Sequence, residues 1–125
     1  KDGTLVKRSR TEIERDIGNY TVLEHDGVIF ACAALYPYPD AGTAEMAALT
    51  VSPQSQGQGD GEKVLKRVEQ RARLMGLKSI FVLTTRTMHW FIKRGFQVVD
   101  PDWLPDARKR KYNWDRRSQV LVKNL

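Results

Sequence analysis

Hydrophobic positions along the chain recur with two periods, and the points where the period changes mark out its elements. In Thr11-Glu12-Ile13-Glu14-Arg15-Asp16-Ile17-Gly18 the two isoleucines lie four apart, Thr11 with Glu14 makes a capping box, and Gly18 is a stop. That spacing predicts a short helix over 11–18. The pattern then turns to strands over 20–24 and 28–36, which flank Asp26-Gly27, the strongest short hairpin signal a sequence offers. The second of these, from Val28 to Tyr36, is apolar almost throughout and is expected inside a sheet covered on both faces. Pro37, Pro39 and Gly42 mark a turn, and a third strand runs over 44–51 until Pro53.

From 60 to 75 the period is helical. Val64, Leu65, Val68, Ala72 and Met75 form one stripe, and Gly76 closes the helix. A short buried strand over 80–84 follows, expected to run parallel to the 44–51 strand. A helix over 87–94 capped by Gly95, a strand over 96–99, a proline-bearing loop over 100–105, a short basic helix over 106–111 and a final alternating strand over 118–122 complete the chain. No internal repeat or linker interrupts it. The expected fold class is a single mixed α/β (α+β) domain.

Composition narrows the setting. The 125 residues suffice for one core, and 41% hydrophobic with 29% charged residues is ordinary globular usage. No uninterrupted apolar run is long enough to span a bilayer, and Lys1-Asp2-Gly3-Thr4 lacks the apolar core of a signal peptide. The single Cys32 excludes an internal disulfide and fits a reducing compartment, so a cytoplasmic setting is expected. No Cys/His cluster has metal-ligand spacing, and no metal is expected. The formal net charge of +6 suggests an anionic partner, with nucleic acid, a phosphorylated cofactor and a carboxylate substrate all eligible.

The loop Gln56-Gly57-Gln58-Gly59-Asp60-Gly61 changes that picture. Glycines at alternating positions before a helix let the backbone approach a ligand and turn its N–H groups toward it. The helix start adds unpaired N–H groups and a positive dipole end, so a diphosphate fits there without a lysine. A Walker loop needs Gly-Lys-Ser or Gly-Lys-Thr, but Gly61 is followed by Glu62. A dinucleotide fingerprint needs glycine at Glu62 and an acidic residue closing the next strand, where Thr84 and Thr85 stand. A plain glycine-bearing loop is the competing explanation. Another comes from Arg108-Lys109-Arg110-Lys111 with Tyr112 and Trp114, a run suited to phosphates and bases in a non-enzymatic nucleic-acid module.

Val51-Ser52-Pro53, the glycine loop and Glu62-Lys63-Val64-Leu65 together resemble motif A of the GNAT acetyltransferase superfamily, with Gln56, Gly59 and Gly61 in its key places. Leu5-Val6-Lys7-Arg8-Ser9, Ala31-Cys32-Ala33-Ala34-Leu35-Tyr36-Pro37, Phe81-Val82-Leu83-Thr84-Thr85-Arg86-Thr87, His89-Trp90-Phe91, Arg94-Gly95-Phe96, Leu104-Pro105 and Tyr112-Asn113 look like the acetyltransferase domain of N-acetylglutamate synthases. The resemblance implies a mixed central sheet with helices on both faces. It implies acetyl transfer from acetyl-CoA to the α-amine of L-glutamate, for arginine biosynthesis, with no nucleic-acid or membrane partner. It also implies that the fold's N-terminal strand and helix are missing here, that an amino-acid-kinase-like domain belongs upstream, and that the protein is a homo-oligomer. The tyrosine that serves many GNAT enzymes as general acid is replaced by Phe91.

The implied roles fall on named residues. Glu45, in an otherwise apolar strand, is the candidate general base, and burial there would raise its pKa. Thr84 or Thr85 is the candidate proton source for the thiolate, against a simple role as helix caps. The backbone of Leu49, Thr50 and Val51 would pair with the pantetheine arm. Gln56, Gly57, Gln58, Gly59, Asp60, Gly61 and Glu62 would cradle the diphosphate. The two carboxylates of glutamate call for arginine forks, assigned to Arg8 and Arg116 with Lys7, Arg117 and Ser118 beside them.

Overall fold

Strands dominate the architecture. The computed structural model describes residues 13–17, 19–25, 28–53, 59–112, 116 and 118–125. Seven strands appear among them: β1 (Ile13–Ile17), β2 (Tyr20–His25), β3 (Val28–Tyr38), β4 (Thr43–Val51), β5 (Ser79–Thr84), β6 (Gln97–Val99) and β7 (Gln119–Asn124). Their order is β1-β2-β3-β4-β5-β7-β6. Three α-helices accompany them: α1 (Asp60–Leu74), α2 (Met88–Ile92) and α3 (Asp106–Lys109). Among the described residues no helix is long and apolar enough to cross a membrane. The mixed α/β class and the parallel β4–β5 pair agree with the sequence.

The chain divides into two compact units. One takes in the described residues up to Tyr36 together with Met46–Arg71; the other comprises Pro37–Glu45 and Ala72–Leu125. In the first, β1, β2 and β3 form antiparallel pairs, with His25 opposite Val28 across the expected hairpin. The turn residues Asp26 and Gly27 themselves lie outside the described residues. On α1, Val64, Leu65 and Val68 are buried as the stripe requires, and Arg71 Nη1 donates to Thr21 Oγ1 at 2.8 Å.

In the second unit, β4 and β5 are parallel over Thr43↔Ser79, Ala44↔Ile80 and Glu45↔Phe81. Strand β7 returns antiparallel beside β5 and also carries β6. Thr43 Oγ1 donates to the Ser79 carbonyl at 3.2 Å, and Ser79 Oγ donates to Thr43 Oγ1 at 2.9 Å, so two buried hydroxyls satisfy each other. Phe81, Leu104, Tyr112, Val120 and Val122 form the core cluster, with Tyr38, Leu83 and Val99 packed against it. Helix α2 ends in a Schellman turn, in which Phe96 N–H reaches the Phe91 carbonyl at 3.1 Å and Gly95 N–H the Ile92 carbonyl at 3.1 Å. The Phe91 and Phe96 rings meet edge-on at 5.1 Å and clamp that turn. Gly95 has φ 97°, and a Cβ there would stand 3.3 Å from Lys123 Cε.

Three sequence expectations are corrected. The segment expected as a helix over 11–18 is strand β1, paired from Ile13↔Glu24 to Ile17↔Tyr20. A spacing of four is common to both periods, since 13, 15 and 17 also share one face of a strand. A helix this short is marginal without packing, whereas pairing with β2 bonds the same backbone. In the sequence Gly18-Asn19 is also a hairpin dipeptide; Thr11, Glu12 and Gly18 lie outside the described residues. Strand β3 is covered only in its middle. Ala31, Ala33, Ala34 and Leu35 are buried, but Val28 and Ile29 are 58% and 50% exposed at the hairpin end, where the register with β2 shifts between Leu23 and Glu24. Met75 is not on the buried stripe. The helix stops at Leu74, the chain reverses at Gly76, and Leu77 takes the buried place, its N–H bonded to the Ala72 carbonyl at 3.0 Å.

Candidate active site

Glu45 projects from the last registered position of the β4–β5 ladder and is only 8% exposed. A carboxylate so placed needs a partner, and the partner is Arg108 of α3. Arg108 Nε donates to Glu45 Oε1 at 2.6 Å and Nη2 donates to Oε2 at 3.3 Å, a fork engaging both oxygens. The bond to Glu45, outweighing the cost of burial, pushes the guanidinium further above its already high ordinary pKa. Tyr38, at the end of β3, completes the group. Burial first, and the Glu45 charge second, raise its phenol above the ordinary value of 10.0, with Arg108 acting the other way. The phenol is therefore protonated at neutral pH.

The turn after β5 is held by Thr84. Its Oγ1 accepts from Arg86 N–H at 3.2 Å and Thr87 N–H at 3.0 Å, and stands 2.7 Å from Thr87 Oγ1. Two N–H bonds fill the two lone pairs of a hydroxyl. That leaves the Thr84 proton to donate to Thr87 in the bond the two hydroxyls share. Thr84 lies three residues beyond Phe81, the partner of Glu45, which is about 10 Å along a strand. Thr85 is exposed beside Thr84.

The donor-side candidates belong to the first unit. Ala48 has φ 56°, a left-handed conformation that costs a non-glycine residue about 1–2 kcal/mol. It lies within β4 immediately before Leu49, Thr50 and Val51, and Thr50 Oγ1 donates back to its carbonyl at 3.1 Å. Gly59 has φ 83°, and nothing within 4 Å would meet a Cβ there, so backbone handedness rather than space calls for glycine. The Gly59 carbonyl accepts from Lys63 N–H at 3.1 Å and opens α1. The first-turn N–H groups of Asp60, Gly61 and Glu62 are thereby presented as a unit. The carboxylates next to this anion site are drawn along the helix: Asp60 pairs with Lys63 at 3.8 Å and Glu62 with Lys66 at 3.6 Å. Residues at this end thus fit an anionic diphosphate. Gln56, Gly57 and Gln58 lie outside the described residues, as do Lys7, Arg8 and Arg117.

Among the acceptor candidates, Arg116 is exposed and Ser118 is buried. The Ser118 carbonyl accepts from Tyr112 Oη at 2.6 Å. This also bears on the nucleic-acid alternative. Tyr112, one of the aromatics it needs, is buried and hydrogen-bonded, and Arg108 is turned in to Glu45; Trp114 lies outside the described residues. Phe91, at the place of the usual tyrosine acid, is a core side chain. Sequence reasoning missed Arg108 and Tyr38. Arg108 heads a basic run that reads as solvated, and no local spacing links it to a glutamate 63 positions earlier.

The profile of the acetyltransferase (GNAT) family matches residues 3–96. An amino-acid acetyltransferase of Ralstonia nicotianae is 64% identical over 99% of this chain, and one of Azotobacter vinelandii is 50% identical over all of it. The chain spans 28% and 29% of those two proteins, less than a third of their length. An N-acetylglutamate synthase of Neisseria gonorrhoeae, solved with coenzyme A and N-acetyl-glutamate, superposes with a TM-score of 0.81 at 34% identity, over 98% of this chain and 32% of its own. With the family profile matching well over half of its residues, the chain belongs to the GNAT acetyltransferase family.

Proposed function

We propose that this domain transfers the acetyl group of acetyl-CoA to the α-amine of L-glutamate, giving N-acetyl-L-glutamate for arginine biosynthesis. The observation that carries the reading is the buried, arginine-paired Glu45 at the end of the β4–β5 ladder in a GNAT domain. The likeness to a synthase solved with coenzyme A and N-acetyl-glutamate supports the choice of acceptor. The domain acts as one part of a longer protein, as its share of its relatives' length suggests.

Glu45 takes a proton from the substrate ammonium, directly or through one water, and so frees the nitrogen lone pair. The amine forms its C–N bond at the thioester carbonyl, the nitrogen of the adduct gives up its second proton toward the turn at Thr84 and Thr85, and the C–S bond breaks. The turn at Thr84 and Thr85 returns that proton to the departing thiolate, with Thr87 bonded to Thr84. The main chain of Leu49, Thr50 and Val51 holds the pantetheine arm, and the segment from Gln56 to Glu62 holds the diphosphate. Lys7, Arg8, Arg116, Arg117 and Ser118 bind the two carboxylates of glutamate.

The test is a steady-state assay of the full-length protein with acetyl-CoA and a panel of amino acids, beside thermal melting with acetyl-CoA. Glutamate is expected to give the highest kcat/KM, and acetyl-CoA to raise the melting temperature. A better acceptor would overturn the substrate. No acetyl-CoA shift, joined to salt-sensitive RNA binding, would overturn the enzyme reading.

A further inference from the structure

We propose that Arg108 is a positioning residue for Glu45, holding that carboxylate in one orientation for proton abstraction; this rests on the role of Glu45 given above. The terminal torsion of a glutamate is broad and roughly two-fold, so an unassisted carboxylate sweeps its lone pairs over many directions. The two bonds from Arg108, at 2.6 and 3.3 Å, remove that freedom. A fork occupies one lone pair on each oxygen and leaves the other for a proton. Side-chain exposures of 16% for Arg108 and 11% for Glu45 keep the pair from being screened as a surface bridge is.

The fold secures Arg108 from both sides. Helix α3 has only four residues and would not hold a side chain in place alone. Leu104 before it and Tyr112 after it are buried in the core cluster, and Tyr112 Oη is tied to the Ser118 carbonyl at 2.6 Å. Arg108 N–H bonds to the Pro105 carbonyl at 2.9 Å, and Tyr112 N–H to the Lys109 carbonyl at 3.1 Å. The run 108–111 thus has two fates: Arg108 is directed to Glu45, whereas Arg110 and Lys111 are exposed.

The experiment is a double-mutant cycle in the full-length protein with R108A, E45Q and R108A/E45Q, joined by R108K. A positioning role predicts that R108A lowers kcat between about tenfold and a hundredfold, with the KM for acetyl-CoA within about twofold. It also predicts no further loss when R108A is added to E45Q, and partial recovery of R108A, but not of the double variant, by millimolar guanidinium. Wild-type kcat in R108A, losses that multiply independently with E45Q, or no recovery by guanidinium would overturn it. If R108A melts below the assay temperature, R108K decides. It keeps the charge without the fork, so a lowered kcat at parental melting temperature supports the role and a parental kcat overturns it. An E45Q enzyme at wild-type rate sinks the base role itself, whereas a disabled E45Q beside an unimpaired R108A sinks only the role of Arg108.

Discussion

The start of α1 and the surroundings of Glu45 use polar groups in opposite ways. At the helix start the main chain supplies the polar groups. Gly59 turns the backbone at φ 83°, the first-turn N–H groups follow, and the nearby side chains are occupied with lysines further along the helix. Around Glu45 side chains supply them, from β3, β4 and α3. The first arrangement depends on backbone handedness and tolerates changes of side chain. The second depends on side-chain identity and on whatever holds α3 in place.

Four substitutions test that contrast, the largest effect first. Glu45→Gln is nearly isosteric, removes the basic carboxylate and breaks one of the two bonds from Arg108. Turnover is expected to fall by about 10²–10⁴-fold, with acetyl-CoA affinity unchanged by titration calorimetry; an unaltered rate rules out the base. Gly59→Ala adds a methyl that meets nothing within 4 Å, so its effect is purely conformational. A left-handed alanine costs about 1–2 kcal/mol, and the Kd for acetyl-CoA should rise by roughly tenfold while kcat at saturation holds. A fall in kcat alone would break the division between the two regions. Tyr112→Phe removes the hydroxyl bonded to the Ser118 carbonyl, and urea unfolding should register a loss of about 1 kcal/mol; no change would mean that α3 is anchored by packing alone.

Tyr38→Phe has the smallest effect and shows it only in alkali. The folded phenol titrates above its ordinary value, so the linked loss of stability is absent below pH 10 and grows as pH rises toward the folded pKa. Melting of the parent should therefore fall above pH 10 more steeply than that of the variant, and the two should coincide at neutral pH. Parallel curves would remove Tyr38 from the Glu45 group.

The same contrast explains what was legible before the structure. Gly59 and the stripe of Val64, Leu65, Val68 and Ala72 are statements about neighbours in sequence, and they reappear in place. The parallel β4–β5 pair followed from strand, loop, helix, strand order. Strand β1 was misread because Ile13 and Ile17 satisfy both periods and only pairing with β2 chooses between them. Arg108 and Tyr38 were invisible for another reason. Their meaning arises from proximity to the Glu45 charge, and a guanidinium bound for a buried carboxylate looks in sequence like any other member of a basic run.

Gly95 carries a consequence for how the sequence can change. Two unrelated obstacles guard the position, a φ of 97° and the Lys123 stem 3.3 Å from where a Cβ would stand. Shortening Lys123 clears the second and leaves the first, because the handedness of the turn is set by the 91–96 clamp. No single compensating replacement at Lys123 can therefore rescue a side chain there, and a lineage that loses this glycine must rebuild the turn before it regains the strand that follows.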